Sequence, residues 1–223
     1  MSGSVRVCRT PIAAVVVAMA LCAEAAWAQT PPPPVAQPVV QPVVQPPARG
    51  GGGRGRGGVR VMTLTSSAFT DGGQIPAKYA QTGRDVSPAL TWSGAPDSTQ
   101  SFVLIVHDAD AAIGDGTSDM LHWMVWNIPG SATSLPEGVP QGAQVANGLR
   151  QISGTGPYYR GPAAPSPGPA HHYIFELYAL DIALNVPAVG MSPPQVRDAV
   201  MAAMATHIRG KAVMVGLYRR PAP

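Results

Sequence analysis

From residue 61 onward the apolar residues of this chain come in short runs, broken by Gly, Pro, Asn and Asp. Five runs, 61–65, 101–108, 122–128, 172–181 and 212–219, are rich in β-branched, aromatic and aliphatic residues, and each predicts a strand. A different spacing governs 192–210. There Val196, Val200, Ala203, Met204 and Ile208 form one helical stripe, Ser192 is placed to cap it, Pro193 and Pro194 suit its first turn, and Gly210 stops it. The Gly/Pro-rich segment 154–169 follows neither period and predicts a long loop. Together these elements predict a mainly β domain, an antiparallel β-sandwich with one or two peripheral α-helices.

The N-terminal pattern is of another kind. Arg6 and Arg9 precede an apolar run over 12–23, and Ala26-Trp27-Ala28 supplies the small residues a signal peptidase needs. The run is too short for a spanning helix, which takes ~20 apolar residues. A lipid anchor through Cys22 fits poorly, because Leu21 precedes the cysteine where a small residue is expected. Residues 1–28 therefore read as a cleavable secretory signal, which places the protein in the periplasm or outside the cell. Cys8 and Cys22 both fall inside it, so the mature chain is expected to use no thiol, disulfide or cysteine-bound zinc.

Residues 29–60 read as a linker, first a Gln-Pro-Val-Val repeat that favours polyproline II, then a Gly/Arg stretch. The Gly-x-Gly spacings there are low complexity, with no strand before them and no helix after. Charge follows the same division. The formal +3 of the chain is +1 from the signal and +4 from Arg49, Arg54, Arg56 and Arg60. It is −2 from Val61 onward, where nine Lys/Arg face eleven Asp/Glu. The basic balance belongs to the tail, whose arginines could meet an anionic envelope surface, and the domain at 61–223 gives no reason to expect nucleic acid.

Candidate chemistry gathers at strand ends. Alternation of faces puts His171 with Tyr173 and Asp108 with Asp110, sets His172 and His107 on opposite faces from these, and groups His122 with Met124 and Trp126. Asp108, Asp110, His122, His171 and Tyr173 form one set that could converge. Imidazole N–H groups and a phenol can donate to an anion, and an aspartate can orient a histidine or receive an ammonium group. His and Asp together could also hold zinc, but neither His-Glu-x-x-His nor Gly-x-Ser-x-Gly occurs.

Five blocks in order extend this reading: Ser-Pro-Ala-Leu-Thr-Trp (87–92), Val-His-Asp-Ala-Asp-Ala-Ala (106–112), His-Trp-Met-Val-Trp-Asn-Ile-Pro (122–129), Tyr-Arg-Gly-Pro (159–162) and His-His-Tyr-Ile-Phe-Glu-Leu-Tyr-Ala-Leu-Asp (171–181). In this order they resemble the phosphatidylethanolamine-binding protein family, and within it the bacterial Raf-kinase-inhibitor-like members. The resemblance implies a β-sandwich with a small pocket at one end for phosphate or a phosphoryl headgroup such as phosphoethanolamine. It implies a non-enzymatic binding protein without metal or cofactor. Asp108 and Asp110 fall on the family's acidic motif, His122 on its His-Trp block, His171 and Tyr173 on its His-Arg-Tyr, and Gly161 opens the pocket wall over 161–169. The sequence departs from the family where both prolines of the acidic motif are Ala109 and Ala112, and where the arginine of His-Arg-Tyr is His172. The alternatives are a protein-interaction module inhibiting a peptidase or kinase and, more remotely, a metal-dependent hydrolase. Homodimer formation stays open.

Overall fold

A computed structural model describes residues 58–222 except Asp115 and Thr117. The segments read as a signal over 1–28 and as a linker from 29, up to residue 57 and with Arg49, Arg54 and Arg56, lie outside the described residues. In chain order the strands are β1 (Arg60–Val61), β2 (Thr63–Ser66), β3 (Gly73–Gln74), β4 (Leu90–Ser93), β5 (Ser101–Ile113), β6 (Ser118–Pro129), β7 (Ser134–Leu135), β8 (Arg150–Ile152), β9 (His171–Leu180) and β10 (Ile208–Tyr218). The helix α1 (Pro193–Met204) comes between β9 and β10. The larger sheet runs β1-β10-β9-β5-β6-β8, with β3 also on β10, and the smaller runs β2-β4-β7. The long central pairs are antiparallel, while β1 and β3 lie parallel to β10.

The core explains why β5 reads as an almost continuous apolar run. Phe102, Leu104 and Val106 face inward with Phe175 and Leu177 of β9, and pack against Leu64, Leu90 and Trp92 of the smaller sheet. Val103 and Ile105 face the other way and pack with Val196, Val200 and Met204 of α1. A sheet covered on both faces needs apolar residues on both, so strict alternation of hydrophobic and polar residues disappears from its centre.

Four of the five strand-like runs form one strand each; the run 61–65 is divided at Met62 into the end of β1 in the larger sheet and most of β2 in the smaller. The helix begins as expected, with Pro193 and Pro194 in its first turn and a capping box between Ser192 and Gln195. It ends earlier than the stripe predicts. Met204 is its last residue, the His207 N–H bonds the Met204 carbonyl at 2.9 Å, and Ile208 already pairs with Leu180 in β10. Ile208 still packs on the cluster that holds Val196, Val200 and Met204, but reaches it from a strand. Burial pattern alone cannot distinguish the two routes. The loop over 154–169 is without helix or strand, as predicted.

Candidate functional site

Where β5, β6 and β9 end together, a cavity of about 170 Å³ opens among Asp108, His122, Arg160, His171 and Tyr173, with Gln81, Ala111 and Met120. Ala163, Ala164 and Pro165 of the long loop close one side. Larger hollows lie elsewhere. One of about 470 Å³ beside Leu135 and Leu149 has no ionisable side chain in its lining. One of about 710 Å³ at the start of α1 holds Asp119 and Arg197, already paired at 2.6 Å. The smallest of the three brings imidazoles, a carboxylate, a phenol and a guanidinium together, and it is the candidate site on chemical grounds.

Register builds the site. Asp108 lies opposite Tyr173 across the β5–β9 pair, so both point into the inner layer. His122 reaches that layer by a different device. Val106 pairs with Trp123 and His107 with Leu121, leaving His122 as the extra residue of a β-bulge. A bulge puts two consecutive side chains on one face. His122 thus joins Trp123 on the inner side, while Leu121 and Met124 stay with the outer cluster. This corrects the expectation that His122 shares a face with Met124 and Trp126. Strict alternation would have turned the ring away from the cavity. Instead it stands edge-on to Tyr173, with centroids 5.0 Å apart and planes at 85°.

The hydrogen bonds fix both imidazoles in one tautomer. His122 Nδ1 lies 2.7 Å from the Arg160 carbonyl oxygen and 3.1 Å from that of Gly161. Both are acceptors, so Nδ1 carries the proton and donates. His171 Nδ1 lies 2.8 Å from Asp108 Oδ2 and donates to the carboxylate in the same way. Each ring therefore turns Nε2 outward, without a hydrogen-bond partner among the described residues and not sealed from solvent. A neutral ring presents Nε2 as an acceptor; only imidazolium presents a second N–H. Burial pushes the His122 imidazole below the ordinary histidine value, against the pull of the Arg160 carbonyl and Asp108.

Asp108 and the Tyr173 oxygen are already engaged as acceptors, and the Tyr173 O–H stays a donor. Asp108 is 3 % exposed. Its Oδ1 accepts the Asp110 and Ala111 N–H groups at 3.0 and 3.1 Å, which holds the turn that carries alanine in place of the family's two prolines. The Tyr173 oxygen accepts the Ala163 and Ala164 N–H groups at 3.2 and 3.1 Å, tying the loop to β9. Burial and the neighbouring Asp108 charge push its phenol well above the ordinary tyrosine value.

Of the residues singled out in the sequence, Asp108, His122, His171 and Tyr173 line the cavity. Asp110 does not. Its side chain turns to the other face, where Oδ2 accepts the His172 N–H at 2.5 Å and lies 2.8 Å from His172 Nδ1. The Asp108 turn breaks the alternation on which their grouping rested. Gly161 stands behind the lining rather than in it. Its N–H donates to Asp85 Oδ1 at 2.6 Å, and a side chain there would collide with the Tyr79 carbonyl oxygen. Gln81, Met120 and Arg160 were missed. Arg160 stood inside the Tyr-Arg-Gly-Pro block, and its charge was the available signal. Among the described residues no group of three His, Cys, Asp or Glu is placed to hold a metal ion.

Comparison with known proteins places the chain in a family and a fold. The family model described as phosphatidylethanolamine-binding protein matches residues 65–219. A UPF0098 protein of Methanothermobacter thermautotrophicus is 40% identical over 162 residues, covering 71% of this chain and 99% of that protein. LppC of Mycobacterium tuberculosis, whose name marks it as a candidate lipoprotein, is 35% identical over 161 residues, 70% of this chain and 72% of that protein. Among solved structures, YbcL of E. coli, described as a member of the mammalian PEBP family, superposes with a TM-score of 0.62 at 27% identity, covering 72% of this chain and 99% of its own. A PEBP homologue of Chlamydia trachomatis gives 0.60 at 32% identity, covering 73% and 99%. The chain belongs to the phosphatidylethanolamine-binding protein family.

Proposed function

We propose that this protein is a non-enzymatic binding protein whose cavity takes a phosphate or phosphoryl headgroup, and that it does so by protonation. One observation carries the reading: both cavity imidazoles have Nδ1 committed inside the protein and Nε2 free. Neutral, the pair offers an anion only acceptors. Protonated, it offers two charge-assisted donors beside the Arg160 guanidinium, which is always charged. Asp108 orients His171 through Oδ2 and stabilises its imidazolium, while its Oδ1 holds the Asp110 and Ala111 N–H groups. A cavity of about 170 Å³ suits a headgroup rather than acyl chains. The N-terminal signal pattern points the cavity toward the cell envelope, where a kinase target is poorly placed, and the name of LppC agrees with that address.

The test is calorimetric titration with sulfate and with glycerophosphoethanolamine, whose charges are fixed between pH 5.5 and 8. Because the His122 pKa is lowered, affinity is expected to rise as pH falls through and below ~6.5. Equal affinity at both pH values, or tighter binding at pH 8, would sink the reading. Export has its own check: the N-terminus of the mature protein is expected at Gln29.

A further inference from the structure

Beside the cavity, on the far side of the Ala163–Pro165 wall, lies a second hollow of about 340 Å³. Gln74, Ser166, Gly168, Arg219 and Arg220 line it, and no acidic side chain does. Adjacent residues Pro165 and Ser166 belong one to each hollow, so the two hollows share the chain at this point as a common wall. The Arg220 N–H bonds the Ala164 carbonyl at 3.3 Å, which pins the arginine backbone to that partition.

Most basic side chains outside the two hollows are paired. Lys78, Arg197, Arg209 and Lys211 each meet a carboxylate, and Arg150 donates to the Val186 carbonyl. Five arginines, Arg60, Arg84, Arg160, Arg219 and Arg220, have no side-chain partner among the described residues, and the last three line the two adjoining hollows. In a domain with more acids than bases, three unpaired guanidinium groups on two adjoining hollows favour negative charge there.

We infer that the Arg219–Arg220 hollow is a second anion subsite, and that the ligand is a molecule carrying two phosphoryl groups, one on each side of the partition. The inference rests on the phosphoryl reading of the first cavity. Two anions joined by a short spacer gain because the second contact is intramolecular, and Arg is suited to bidentate phosphate contacts. Both arginines are exposed, so solvent screening keeps the gain modest.

The probes are the mono- and bisphosphates of linear diols with three to six carbons, titrated at pH 5.5. At least one bisphosphate is expected to bind about tenfold more tightly than its monophosphate. Arg219→Gln with Arg220→Gln should remove that gain while monophosphate affinity and melting temperature stay put. Arg219→Lys with Arg220→Lys, which keeps the charge, should retain most of it. A whole series no tighter than the monophosphates, or a gain that survives in the glutamine variant, overturns the subsite. Bisphosphate binding that needs Arg219 and Arg220 without any monophosphate binding would uphold the subsite and sink the first cavity's reading. Binding of neither class sinks both.

Discussion

His107 and His122 lie one strand apart and serve opposite faces of the same sheet. On the outer face His107 is enclosed. Its Nδ1 stands 2.5 Å from Asp119 Oδ2, an ion-pair contact rather than an aligned hydrogen bond, and its Nε2 stands 3.6 Å from Glu176. Those acids continue to Arg197 of α1 and Lys211 of β10, each at 2.6 Å, so a charged chain crosses four strands and the helix. Glu176 holds the His107 imidazole above the ordinary histidine value, against burial, and the His107 contact draws Glu176 down to about 2. On the inner face burial pushes His122 the other way, and one nitrogen is left without a partner. A ring with acids at both nitrogens is a cross-link; a ring with one nitrogen facing a cavity is available for chemistry. Histidine content alone distinguishes neither.

Four substitutions separate the faces, from the largest expected effect to the smallest. His122→Ala should weaken phosphoryl binding about 100-fold at pH 5.5, near ~3 kcal/mol, the upper range for a charge-assisted hydrogen bond. Circular dichroism should stay native, and unchanged affinity would remove His122 from the site. His107→Gln should cost stability of about 2 kcal/mol while binding stays within twofold. The His107 contribution is complete below ~6.5 and fades as pH rises through its raised folded value. The Glu176 contribution is complete above ~4.5 and fades as pH falls toward about 2. The difference in melting temperature should therefore peak near pH 5–6 and shrink by pH 8; a flat difference would dissolve the contrast between the two histidines. Tyr173→Phe leaves the Ala163 and Ala164 N–H groups without their acceptor and should cost about 1–2 kcal/mol in denaturant unfolding. Asp110→Asn touches a pair on the exposed side and should change stability by no more than about 0.5 kcal/mol. A large loss of affinity in that variant would return Asp110 to the cavity.

The fold was legible because its signals are local. Four strand-like runs formed one strand each, 61–65 was shared between two sheets, and the Ser192-Pro193-Pro194 start of α1 was readable residue by residue. The end of α1 was not, because Ile208 packs on the same cluster from either a helix or a strand. The site was legible in residue type more than in direction. His171 and Tyr173 obey strand alternation and arrived where the count put them. Asp110 and His122 did not, since a turn and a bulge intervene, and both are set by pairing with strands distant in sequence. Arg160 was passed over because nothing local ties a loop residue to the ends of β5 and β9. The loop over 154–169 reaches the cavity only through bonds such as those of Tyr173 to Ala163 and Ala164.

The bulge at His122 makes the site a matter of counting. Replacing a residue nearby changes what the cavity contains, but removing one changes which way the strand faces. A chain shortened by a single residue between Leu121 and Trp123 could pair β5 with β6 without this bulge and keep its sheet, with no imidazole from β6 in the cavity. Within this family, then, a gap of one position in β6 is more telling than many substitutions. Two chains of equal identity to this one need not share its pocket.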